Sequence, residues 1–213
     1  MLVAIDDLTR HNYSYLTSDD ECYYLCEYFS RMGYDHSPDN QLIFNFKKPV
    51  KLKGTAGYHY KAKAIDEISS MFRNDVLTAL NVNHVTLVPI PPSKTKTHQH
   101  YDDRILQMLS LATKGTSFDY RELISQKTDT QAAHDSDDRP RPEHLKENYL
   151  IESSLVKGSR DLIVLVDDVL TTGAHYVACR DLIKEAFPEK KVIGIFIARC
   201  NRNKNILMDF NEI

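Results

Sequence analysis

Asp167 and Asp168 stand side by side at the end of the apolar run "LIVLV", and Val169, Leu170, Thr171, Thr172, Gly173, Ala174 and His175 follow at once. Two adjacent carboxylates are costly to bury as ions unless a polyhydroxyl ligand, a cation or water takes up their charge. The pair is therefore expected to face a site. Between a strand and a helix, Thr171, Thr172 and Gly173 are small enough for backbone N–H groups to wrap a phosphate, and the helix dipole favours the anion. Carboxylates for sugar hydroxyls, followed directly by a phosphate cradle, describe a receptor for a sugar 5-phosphate.

Those residues need a scaffold, and hydropathy supplies one. The runs "LIVLV" and "KVIGIFIA" alternate little, as strands covered on both faces do, and a helix from about His175 to Ala186 lies between them. "HVTLVPI" reads as a strand stopped by Pro91-Pro92, and "DDRILQMLSLAT" as the helix after a polar loop. "YKAKAIDEISSMFRNDVLTAL" has helical spacing. "ECYYLCEYFSRM", behind the capping-box pattern Ser18…Glu21, is expected to be a helix, and "QLIFNF" a strand. "YRELIS" and "NYLIE" are short strand candidates flanking a long polar stretch, Gln126 to Glu147, without convincing period. Loops of that length in compact domains tend to be functional flaps or disordered segments. The fold class implied is an open α/β sheet rich in parallel strands, with ligands at the carboxyl ends of the strands.

The 213 residues suit one domain: a cap over about 1–55, a core over about 56–200 and a tail over 201–213. A net charge of −3 argues against nucleic-acid binding through a global positive field, while a local basic groove stays compatible with it. The first residues lack the basic flank and long apolar region of a secretory signal, and no apolar stretch is long enough to span a bilayer. Cys22, Cys26, Cys179 and Cys200 show no zinc-knuckle spacing. Cys22 and Cys26 are expected to be small buried side chains, with thiols reduced and the protein cytoplasmic. Tyr23, Tyr24 and Tyr28 are expected to pack the first helix onto its neighbours, and His98 and His100 to be surface polar residues. No G-x-G-x-x-G follows any strand, which sets a nicotinamide dehydrogenase aside.

The segment from Leu162 to His175 resembles the 5-phosphoribosyl 1-pyrophosphate (PRPP) signature of type I phosphoribosyltransferases. "LVPIPPSKTKTHQHYDDRILQML" is similar to the strand, pyrophosphate loop and helix of the ComF-like group, and "KTDTQ" with "LKENYLIE" to its flexible loop and following strand. The amino-terminal zinc ribbon common in that group is absent. The resemblance implies an open, mainly parallel sheet flanked by helices under a small N-terminal hood. It also implies a protein that binds PRPP or a nucleotide and, with Mg²⁺, transfers the phosphoribosyl group to a nitrogenous base with release of pyrophosphate. Asp167 and Asp168 would then hold the ribose hydroxyls and Thr171 to His175 the 5-phosphate, with Val169 and Leu170 completing the PRPP-binding stretch. Pro92, Ser93, Lys94 and Thr95 would meet the pyrophosphate, and Lys127, Arg139 and Arg141 would close over it. Mg²⁺ would be held by PRPP itself, with help from Asp167 or Asp168.

His175 stands where the family usually has threonine, and Leu170 precedes the Thr-Thr-Gly where purine-salvage members often carry a carboxylate. A non-catalytic sensor of PRPP or a nucleotide, or an effector in a toxin or antiphage module, is therefore the alternative to an enzyme. A homodimer is the default expectation for assembly.

Overall fold

The computed structural model describes residues 1–130 and 140–201 of the chain. Its centre is a six-stranded sheet in the order β1-β2-β8-β7-β3-β4, formed by Val3–Ala4, Cys22–Phe29, Lys191–Asn201, Leu162–Leu170, Val85–Pro89 and Asp119–Tyr120. Every neighbouring pair runs parallel except β1 with β2. The protein is thus an α/β structure with a mostly parallel central sheet flanked by helices.

Side chains of β7 show why both faces are covered. Val164 and Val166 enter one apolar cluster, with Leu42 and Phe46 of α2 (Pro38–Phe46), Ile65 and Ile68 of α3 (His59–Met71), and Met108 and Leu109 of α4 (Arg104–Thr113). Ile163 and Leu165 enter the other, with Tyr176 and Val177 of α7 (Ala174–Ala186). Against that second face also lies a two-stranded antiparallel sheet, β5 (Ile124–Gln126) with β6 (Tyr149–Ile151). Gly194 on β8 permits the close approach of α7: an added Cβ would lie 2.9 Å from the Tyr176 ring and 3.0 Å from Cys22 Sγ.

This layering produces a crevice. The connection after β3 passes through α4 on one face, whereas that after β7 passes through α7 on the other, so the chain leaves the two adjacent strands in opposite directions. Such a switch point opens a gap at the carboxyl ends of the strands. Pairing between β3 and β7 ends at Pro89 with Val166, while β7 stays paired to β8 as far as Leu170 with Arg199. Asp167 and Asp168 therefore overhang the edge where β3 departs.

Two elements differ from the sequence expectation. "CYYLCEYF" is strand β2, not a helix: its tyrosines and phenylalanine favour an extended chain, and pairing from Cys22 with Gly194 to Phe29 with Asn201 stitches it into the sheet. "QLIFNF" lies in helix α2, not a strand. Ser37 caps that helix by accepting from Asn40 N at 3.0 Å, and Pro38 sits in its first turn. The expected cap therefore donates two strands to the central sheet. Asn40 ties these elements together, accepting from Phe29 N at 2.9 Å and donating to Phe29 O and Gly33 O at 3.0 and 2.8 Å. The polar stretch after Gln126 contains a short helix, α5 (Pro142–Asn148). All four cysteines are buried and free, Cys22 and Cys26 on a strand rather than on successive helical turns. Among the described residues no helix is long and apolar enough to cross a membrane.

Candidate functional site

The gap between β3 and β7 is a cavity of about 350 Å³. Asp167 lines it from β7, and Pro92, Lys94 and Thr95 from the loop after β3. Lys127 lines it from just beyond β5, and Arg104 from the first turn of α4. The loop and the chain after β5 are bound to each other: Thr130 N donates to Ser93 O at 2.8 Å, Thr95 N to Asp129 Oδ1 at 2.7 Å, and Lys94 Nζ to Thr130 O at 3.1 Å. Cationic side chains and one strand-end carboxylate thus share a single cavity. Its outer wall carries Glu122, which accepts from Tyr101 at 3.0 Å and from Lys96 at 2.9 Å, and Glu152, which accepts from Ser125 at 2.7 Å.

The two aspartates do different things, because successive residues of a strand point to opposite faces. Asp168, 6% exposed, turns toward α2 and α4. Arg104 Nε donates to its Oδ2 at 3.1 Å, Arg104 Nη2 donates to the same oxygen, and Lys47 Nζ lies 3.5 Å from Oδ1. Arg104 also holds Asp102 at 2.6 Å, and Asp102 accepts from the buried Lys61 at 2.8 Å. Lys61 in turn donates to Phe46 O and Lys48 O at 3.0 and 2.8 Å. Cations and carboxylates alternate along this chain, so no ion in it is left bare.

Burial raises the Asp168 carboxyl, but Lys47 and Arg104 outweigh that and hold it below the usual carboxylate range. Asp167 behaves oppositely. Burial first, then the charge of Asp168, raises its carboxyl, against the donation from Asp168 N to its Oδ1 at 2.7 Å. The doublet thus contains one fixed anion and one carboxyl that holds its proton to unusually high pH.

The Thr171–His175 turn is packed against the amino-terminal segment. Gly173 has φ 87°, a left-handed conformation that favours glycine, and caps the start of α7. An added Cβ there would lie 2.8 Å from Leu16 Cδ2, so Leu16 rests directly on the turn. Tyr15 N donates to Thr172 O at 3.1 Å, tying the same segment down. A polar frame shapes this segment: Arg10 donates to Thr17 O at 2.9 Å and Asp20 O at 2.8 Å, Thr17 N donates to Asp20 Oδ2 at 2.8 Å, and Arg180 pairs with Asp20. His175 is half-buried, its Nδ1 2.7 Å from the Tyr149 hydroxyl. Tyr149 is buried and its hydroxyl has no other hydrogen-bond partner among the described residues, so its O–H donates and Nδ1 accepts; the reverse would strand a buried hydroxyl hydrogen. Burial pushes His175 down to about 4, Lys47 adding to the effect and Asp168 opposing it.

Of the residues singled out from sequence, Pro92, Lys94, Thr95, Lys127 and Asp167 therefore meet in one cavity. Asp168 and Val169 to His175 do not line it, although they adjoin it along β7 and α7. Ser93 contributes its carbonyl to Thr130, and Arg141 is exposed at the start of α5. Arg139 lies outside the described residues. Residues that sequence reasoning missed are Arg104, Asp102, Lys47, Lys61, Leu16 and Tyr149. "YDDR" at the head of a helix following the pyrophosphate-like loop could have signalled the first two. Lys47 and Leu16 come from distant chain and carry no local signal. No family model and no curated protein matches the chain.

Proposed function

We propose that the protein binds PRPP or a closely related phosphorylated ribose and, as a type I phosphoribosyltransferase-like enzyme, transfers the phosphoribosyl group to a nitrogenous base. The observation that carries this reading is the shared cavity: a strand-end carboxylate, Asp167, opens onto the loop bearing Lys94 and Thr95, with Lys127 and Arg104 alongside. In this reading Asp167 accepts from ribose hydroxyls, and the lysines and Arg104 neutralise the leaving pyrophosphate. Tethering of Asp129 and Thr130 to the loop after β3 helps exclude water.

Among the described residues no group of three His, Cys, Asp or Glu comes together to hold a metal. The cavity carboxylates still fit Mg²⁺ arriving on substrate phosphates, since that ion needs only one or two protein carboxylates. Bound there, Mg²⁺ would supply charge neutralisation at the departing pyrophosphate.

A second reading is a sensor that binds the same ligand without turnover. It is favoured by Leu16 over Gly173, which covers the turn meant for the 5-phosphate, and by Arg104 and Lys47 holding Asp168. Calorimetric titration with PRPP, with and without Mg²⁺, on wild type and Asp167→Asn tests the shared premise. Tight Mg²⁺-dependent binding that weakens by roughly 10- to 100-fold in the variant is expected. No heat with PRPP under any condition would remove both readings. Pyrophosphate release with a panel of bases then separates enzyme from sensor.

A further inference from the structure

Residues 40–65 hold six lysines, at 47, 48, 51, 53, 61 and 63, and no carboxylate. Taking those six charges from the net −3 leaves −9 on the rest of the chain, so the molecule is polarised far more than its total suggests. Lys47 and Lys61 are engaged by Asp168 and Asp102. Lys48, Lys51, Lys53 and Lys63 form no ion pair among the described residues. The last three of these are exposed.

An aromatic platform sits among them. Tyr60, 45% exposed in the first turn of α3, has Lys48 Nζ 5.4 Å and Lys63 Nζ 5.5 Å from its ring centroid. The exposed His59 ring lies beside it at 4.1 Å with a tilt of 35°. A merely solvated helix face intersperses both signs of charge; here the ammonium groups gather around the ring at the start of α3, and the first carboxylates on that helix, Asp66 and Glu67, come a turn further along. The surface is also anchored, since Lys61 Nζ grips the carbonyls of Phe46 and Lys48 and Thr55 Oγ1 donates to Leu52 O at 2.8 Å.

We infer that this face binds single-stranded nucleic acid, with Lys48, Lys51, Lys53 and Lys63 on the phosphates and a base stacked on the Tyr60–His59 pair. Unpaired bases offer a π-face to an exposed ring, whereas a duplex keeps its bases stacked internally and would use the lysines alone. A bilayer surface would call for a broad apolar face, and the segment exposes only Phe44 and Leu52, each at 37%, besides Tyr60. The site lies outside the cavity, so it stands or falls apart from the PRPP reading.

Fluorescence anisotropy with a labelled oligonucleotide of about 20 nucleotides, in low salt near 50 mM, tests it. Wild type binds the single strand in preference to a duplex of equal length, and affinity falls as salt rises. Tyr60→Ala weakens binding by roughly 5- to 100-fold, the range expected for losing one stacked base. Replacing Lys51, Lys53 and Lys63 together with glutamine lowers the log–log salt slope by about 2. Thermal melts of both variants, matching wild type, establish that the fold is intact. The inference is overturned by no binding to any oligonucleotide, by equal binding to duplex, by preference for vesicles of anionic lipid, or by variants that bind like wild type.

Discussion

The cavity side of the β7 strand end and its turn side are built on opposite terms. Toward β3, the chain opens: Asp167, Lys94, Thr95 and Lys127 line free volume. Toward α7, Leu16 lies on Gly173, and the backbone of Thr172 is already bonded to Tyr15. Under the proposed function, the contrast means that one half of the phosphosugar site would be pre-formed while the amino-terminal segment packs against the other. If the proposed ligand reaches the Gly173 side of the turn, moving Leu16 aside would subtract from its affinity.

The largest expected effect comes from breaking the fixed half of the doublet. Arg104→Ala leaves Asp168 buried without its principal partner and should lower stability by about 3–5 kcal/mol, read from urea unfolding. A loss below about 1 kcal/mol would mean that Lys47 alone neutralises the carboxylate.

Next is the turn itself. Gly173→Ala imposes a left-handed backbone on alanine and drives a Cβ into Leu16, for an expected loss of about 2–3 kcal/mol. In a Leu16→Ala background the same substitution should cost only about 1 kcal/mol, the backbone part. Equal penalties in the two backgrounds would show that Leu16 does not bear on the turn.

His175 gives a pH signature. Its folded value, pushed down to about 4, lies below the ordinary value of 6.5, so between those two values the unfolded chain binds more protons. Stability therefore rises with pH across that window and is lost as pH falls through it, by roughly 2 kcal/mol for a half-buried ring. His175→Gln should remove that slope in unfolding measured from pH 4 to 7, while Asp167, whose value is raised, works in the opposite sense and remains.

The smallest effect is the most direct on the comparison. Leu16→Ala should bind ribose 5-phosphate about tenfold more tightly than wild type, about 1.4 kcal/mol, by calorimetry. Unchanged affinity would assign Leu16 a packing role only.

Much of the central sheet is legible from hydropathy because β7, β8 and β3 are covered on both faces and so read as unbroken apolar runs. The carboxylates stand out for the same reason, as charge directly abutting such a run. At β2, local signals mislead: Tyr23, Leu25, Cys26 and Phe29 admit a helical spacing, and only parallel pairing with β8, more than 160 residues away, decides for the strand. At α2 a better local signal was present, since Ser37-Pro38-Asp39 is a helix start, and the β-forming "LIF" obscured it. The charge chain from Lys47 to Lys61 and the Leu16 contact join segments with no sequence relation to the doublet. They become visible only once the sheet has gathered those segments.

The pleat of β7 carries one further consequence. Because neighbouring positions there look into different compartments, adding or deleting one residue between Val164 and Asp167 would exchange the anchored anion and the cavity-facing acid without altering composition. Parity along the strand, more than the length of the surrounding connections, therefore decides which carboxyl meets the cavity.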